Sequence, residues 1–178
     1  MPQSKVLIED FIESKTIKAL EIFIASDEEK KISDAADTLA KTFGSSSKNF
    51  SKVSNDEATK LVQSFKNNLT LLIQKTWVEK TDIELKEQVL YQLEQLFSTK
   101  QKSWKNSYAL FIEILHNAVY LMFGQKTDKD EFCEYALRLD PEFGVFWWYV
   151  SNLPHTAEWK EEKCRLAILL GMYFLANY

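Results

Sequence analysis

This sequence predicts an all-α fold of about eight antiparallel helices, arranged as hairpins in a helix bundle or a short repeat-like stack. Apolar residues recur at helical spacing almost throughout the chain. Helix starts are punctuated by caps. Ser26-Asp27-Glu28-Glu29, Ser54-Asn55-Asp56-Glu57 and Thr81-Asp82-Ile83-Glu84 each have the capping-box pattern, in which a hydroxyl and a Glu three residues on satisfy two orphan N–H groups. Chain breakers are scarce. Four Gly and three Pro in 178 residues leave too few turns for a sandwich or barrel of many short strands.

The periodicity places helices at about 4–25, 27–43, 55–79, 82–99, 104–124, 128–139, 141–152 and 156–176. In the first, Leu7, Ile8, Phe11, Ile12, Leu20, Phe23 and Ile24 make a broad apolar face. The second follows the Ser26 box. After it, Gly44–Ser54 carries five serines and a glycine, the chemistry of a surface linker. The third starts at the Ser54 box. The fourth presents Val89, Leu90, Leu93, Leu96 and Phe97 on one face and Lys86, Glu87, Glu94 and Gln95 on the other. In the fifth, apolar residues from Leu110 to Phe123 surround nearly the whole helix, which is the pattern of a central helix. Asp140-Pro141 starts the seventh, with Pro at the first helical position behind a good N-cap. The eighth is apolar all round from Leu166 to Leu175, so it must dock in a core or against another chain. A single domain over 1–178 is expected, with layers 1–43 and 55–178 joined by the Ser-rich loop 44–54. Residues 101–178 hold 16 of the 24 aromatic residues, which points to a bulkier C-terminal core.

Charge narrows the partners. The net charge is −4, and residues 1–100 and 101–178 each contribute −2, so no basic half exists to neutralise phosphates. Only Arg138 and Arg165 offer the guanidinium fork. Nucleic acid is therefore not expected as a partner. Cys133 and Cys164, 31 residues apart, read as small buried hydrophobes in a reducing compartment. No signal-peptide pattern opens the sequence, and no apolar stretch reaches the roughly 20 residues of a spanning helix. A cytoplasmic protein, not integral to a membrane, is the expectation.

Tyr135-Ala136-Leu137-Arg138-Leu139-Asp140-Pro141-Glu142-Phe143, followed by Trp147, resembles the junction between two tetratricopeptide repeats. Counting back from Pro141 sets Ala136 and Tyr120 on that family's small and aromatic positions, and Ser151 on the small position of the next helix. Glu113, His116 and Lys129 depart from the pattern, as does Pro154, where a Tyr is expected. The resemblance covers residues 113–151 and implies stacked hairpins with a concave peptide-binding groove and no catalysis.

Few residues suggest chemistry. Glu113-Ile114-Leu115-His116 has the Glu-x-x-His spacing of di-iron bundles, but such a site needs the motif twice, and Asn152 stands three residues before His155, the other histidine. His116, Cys133, His155 and Cys164 lack zinc-site spacing, so no metal and no cofactor are expected. The Gly residues are isolated, so no phosphate-cradling loop is present. Cys164 before Arg165 could form a thiolate, although the apolar run that follows favours an inert buried thiol.

The expected function is thus a non-catalytic protein-interaction module: an adaptor, a chaperone-like binder or a structural subunit. Its candidate contact residues are Trp147, Trp148, Trp159, Tyr173 and Phe174, since aromatic side chains anchor interfaces. Trp147 and Trp148 point about 100° apart on a helix, so one face cannot bury both. Self-association through the apolar last helix is a further expectation. One alternative is an enzyme or small-ligand-binding domain with a pocket around Glu113, His116, Tyr120 and Cys133. The other is peripheral membrane association through the first amphipathic helix, whose mixed charges suit anionic lipid poorly.

Overall fold

The computed structural model describes residues 8–46, 50–76, 83–96, 98, 103–123, 129–156 and 158–178. Leu7, the Thr81 and Asp82 members of the third capping box, Phe97, Gly124 and the centre of the Ser-rich loop lie outside them. Among the described residues the structure is all-helical, without strands. Its α-helices are α1 (Ser14–Ala25), α2 (Glu29–Thr42), α3 (Asn55–Thr76), α4 (Ile83–Gln95), α5 (Trp104–Phe123), α6 (Lys129–Leu139), α7 (Pro141–Ser151) and α8 (Glu161–Asn177). Short 3-10 turns occur at Ile8–Asp10 and Phe50–Lys52. The chain divides into two compact units: Met1–Ser51 with Thr127–Leu153, and Lys52–Lys126 with Pro154–Tyr178.

In the first unit α1 pairs with α2, and α6 with α7. Ile12, Leu20 and Phe23 are buried, as are the small Ala35, Ala36 and Ala40 of α2, which let the two helices approach closely. Thr16 and Thr42 join α1 to α2 through a hydroxyl–hydroxyl hydrogen bond of 3.0 Å. The expected first helix is shorter than its apolar pattern. Glu13 adopts an extended conformation ahead of Ser14, and the preceding turn tucks Ile12 into the core. The Ser26 box does not form as such: Ser26 ends α1, and its hydroxyl accepts from Glu28 N–H, one residue short of the Glu29 N–H that the box calls for. At the end of α2, Gly44 takes φ +91° and Ser45 N–H donates to Ala40 C=O at 2.9 Å, the closing bond of a Schellman turn. The linker beyond differs from a loose surface loop. Phe50 and Ser51 are buried, and the Asp37 carboxylate accepts from Ser51 N–H.

The α6–α7 hairpin turns at Asp140, whose carboxylate accepts from Phe143 N–H at 3.2 Å with Pro141 at the first helical position, as expected. Gly144 allows the helices to touch. A Cβ there would stand 2.6 Å from the backbone nitrogen of Leu137. Helix α7 is buried on all sides, so Trp147 and Trp148 are both interior, at 3% and 5% exposure, and the one-face argument does not limit them.

In the second unit α8 packs against α3 and α5, and α4 packs against α5. Ser54 caps α3 through Glu57 N–H, as its sequence pattern predicts. The expected helix start at 156 is instead an irregular strap, and α8 begins five residues later, at Glu161. The strap is held by tertiary contacts that no periodicity could reveal: the Tyr108 hydroxyl donates to Pro154 C=O at 2.8 Å, and Trp159 lies 5.2 Å from the Tyr108 ring. Both carboxylate oxygens of Glu161 accept from the first N–H groups of α5, those of Trp104 and Lys105, at 2.9 and 3.1 Å. No described helix is long and apolar enough to cross a membrane.

Gly144→Ala is expected to destabilise the protein by about 1–3 kcal/mol, because the new methyl meets backbone that has no rotamer escape. Urea denaturation followed by circular dichroism checks this; unchanged stability would mean that α6 and α7 are not in this close contact.

Candidate functional site

An accessible trench lies between α3 and α4 in the second unit. Because α4 rests on α5 and barely touches α3, the two helices leave an open seam. Two adjoining cavities, of about 440 and 370 Å³, share Gln63 and Lys66 as walls. On the α3 side the trench runs from Asn55 to Thr70, a length of about 22 Å at the helical rise of 1.5 Å per residue.

Apolar side chains of both helices form much of the lining: Ala58 and Val62 from α3, Leu90 and Leu93 from α4, then Leu96 and Trp104 at one end. Tyr91 stands at the other end, 65% exposed. Much of the polarity on the α3 wall is already satisfied within the helix. Thr59 and Thr70 donate their hydroxyls back to Asn55 C=O and Lys66 C=O, at 2.9 and 2.7 Å. The Gln63 amide donates to Asn67 Oδ1 at 3.2 Å. Charge is balanced, with Lys66 on one wall and Glu94 on the other.

A second groove of about 240 Å³ lies between the C-terminal turns of α3 and α8, lined by Leu71, Leu72, Lys75, Leu175 and Tyr178. Asn68 closes it by donating to the carbonyls of Leu175 and Ala176 at 3.2 and 2.6 Å, which fixes the end of α8. In the first unit, a groove between α1 and α2 has Lys15, Lys18 and Lys31 on its rim. Lys15 and Lys31 are matched there by Glu13 and Glu28, at 3.2 and 3.4 Å.

The residues expected to make contacts have varied surroundings. Trp147 is buried with its ring edge-on to Phe132, at 5.3 Å between centroids, and Trp148 is buried beside it. Phe174 is buried and stacks on Tyr178, while Tyr173 and Trp159 are half-buried. The apolar circumference of α8 is covered, with Cys164, Leu166–Met172, Phe174 and Leu175 buried. Most of the apolar face of α1 is likewise covered, which leaves Phe11 and Ile22 exposed.

The residues of the alternative pocket divide between the units. Glu113, His116 and Tyr120 share one side of α5, with Glu113 exposed and the other two half-buried. Cys133 belongs to the first unit, where its buried thiol lies 3.9 Å from Gly144 C=O. Among the described residues no three of His, Cys, Asp and Glu converge in a way that could hold a metal. Both cysteines are free and buried. Burial pushes the Cys164 thiol up to about 11; the Glu161 carboxylate adds to this, while Lys105 and Lys163 oppose it. Burial also holds the Tyr108 phenol well above its ordinary value, with Cys164 as a secondary cause. Neither group is poised as a base or nucleophile at neutral pH.

Sequence reasoning missed Tyr91 and the wall residues Gln63, Lys66, Asn67 and Thr70. The one available signal was Tyr91 itself, an aromatic residue outside the apolar stripe of its helix. No protein-family model, curated protein or solved structure matches this chain.

The raised Cys164 pKa has a pH signature. The folded chain keeps a proton that the unfolded chain releases above its ordinary value of 9.0, so stability is intact below about pH 9 and falls as pH rises toward 11. Thermal unfolding measured across that window should show the decline, and Cys164→Ala should flatten part of it. In the same vein, iodoacetamide at pH 7.5 should leave both thiols of the native protein unmodified and label them rapidly in guanidinium.

Proposed function

We propose that this chain is a non-catalytic interaction module that receives an amphipathic helix of a protein partner in the α3–α4 trench. The observation that carries this reading is the trench geometry, about 22 Å of seam between two helices, lined by apolar and polar side chains alike, with Tyr91 and Trp104 toward its two ends. A helix of about four turns fits that length, and its apolar stripe at positions i, i+4, i+7 and i+11 would meet the accessible Val62, Leu90 and Tyr91. Lys66 and Glu94 on opposite walls favour a partner helix with an acidic residue toward α3 and a basic one toward α4. Aromatic side chains are the usual anchors of such contacts.

The repeat-like reading is part of the same proposal. Ala136 is buried and Gly144 is in close contact with Leu137 across the Asp140-Pro141 turn, features that support α6–α7 as a hairpin of tetratricopeptide type. Two free buried thiols fit work in the cytoplasm.

Selection from a displayed library of 16-residue helical peptides tests the proposal. Amphipathic sequences are expected to be enriched, and Tyr91→Ala and Leu90→Glu should each weaken the selected peptides by about tenfold or more. Peptides that bind the two variants as well as the parent, or a selection without amphipathic enrichment, would overturn the trench as the binding site.

A further inference from the structure

The chain has two histidines, and they lie against each other. His116 is on α5 and His155 is on the strap that leads into α8, 39 residues apart in sequence, yet their ring centres are 5.1 Å apart with the planes inclined at 49°. We propose that this pair is a binding site for a divalent transition metal of the zinc, copper or nickel kind, held by two imidazoles that clamp the strap to α5.

The spacing is the one that shared coordination requires. A metal–nitrogen bond of about 2.1 Å puts the ion about 3.2 Å from the ring centre, and a tetrahedral angle between two such rings sets their centres about 5.2 Å apart. Imidazole suits zinc, copper and nickel, while calcium and magnesium take oxygen donors, so the ligand type selects the class of ion. The half-buried His116 on a long helix supplies a fixed ligand; the exposed His155 leaves the open side of the site to water. His155 is also held in place by its neighbour, since Pro154 C=O accepts the Tyr108 hydroxyl at 2.8 Å. No third His, Cys, Asp or Glu among the described residues completes the set. The remaining positions therefore belong to water or to a donor atom of a molecule that binds through the metal.

Isothermal titration with Zn²⁺ at pH 7.5 and the electron paramagnetic resonance of bound Cu²⁺ test this on the full chain and on His116→Gln and His155→Gln. The expected result is one site, weakened by about tenfold or more in either variant, with two equatorial nitrogens on copper in the parent and one in each variant. Zn²⁺ binding equal in parent and variants would place the ion on surface carboxylates, and a parent that binds no metal would be equally decisive; both overturn the proposal. Since His155 is exposed, its variant decides the matter even if His116→Gln fails to fold.

Discussion

The burial of α8 is the constraint from which the second unit follows. A helix apolar on every side has no face that can be left to water, so it needs cover from several directions. Helices α3 and α5 provide that cover, and the approach of α5 is close enough that a Cβ at Gly171 would lie 2.6 Å from the Phe111 ring. Phe65 of α3 reaches the same ring, at 5.7 Å between centroids, so α3, α5 and α8 meet around one aromatic cluster. With both neighbours packed on α8, α4 rests mainly on α5 and touches α3 little, and the gap between α3 and α4 is the trench. The accessible apolar surface is thus a consequence of how the buried helix is served.

Polar contacts fix where α8 begins and ends. Glu161, in its first turn, places a carboxylate at the N-terminus of α5, where the macrodipole and two orphan N–H groups favour a negative charge. Asn68 does the converse at the other end by donating to carbonyls of the last turn of α8. Arg165 donates to Val53 C=O, which holds the lead-in to α3. Hydrophobic burial sets which helices touch. These directional bonds then set the axial position of α8, so the trench walls and the strap keep a defined register.

Periodicity made the helices legible because burial of one stripe per turn leaves its mark on every few residues. It was less informative at ends. The described strap residues 154–156 and 158–160 would serve a helix, yet the Tyr108 hydroxyl and the Trp159–Tyr108 contact hold them irregular. Ser26 shows the same limit, since a hydroxyl with a Glu three residues on can end one helix as readily as start the next. The Trp147-Trp148 pair shows a different limit. Angular separation on a helix limits burial only when one side stays exposed, and α7 is covered on all sides. The trench and the histidine pair were invisible because both depend on which elements meet, a property of tertiary packing that leaves no spacing in the sequence. Tyr91 could have been noticed as an aromatic residue off the buried stripe, but its meaning required knowing that α3 stands apart from α4.

The electrostatic character of the trench separates a helical protein segment from other occupants. A phosphate-bearing strand gains affinity by displacing counterions with clustered cations, and Lys66 faces Glu94 across the seam instead of joining other basic residues. Arg165, one of the two arginines, is engaged with Glu162 and Val53 C=O and offers no fork to a phosphate. An acyl chain would find apolar lining here, but it would cover the Gln63–Asn67 amides without offering them hydrogen bonds, and polar groups resist that. An amphipathic helix meets both demands at once. In the proposed complex its apolar stripe would lie in the seam, and its flanking polar side chains would reach the amides and the two opposed charges on the lips.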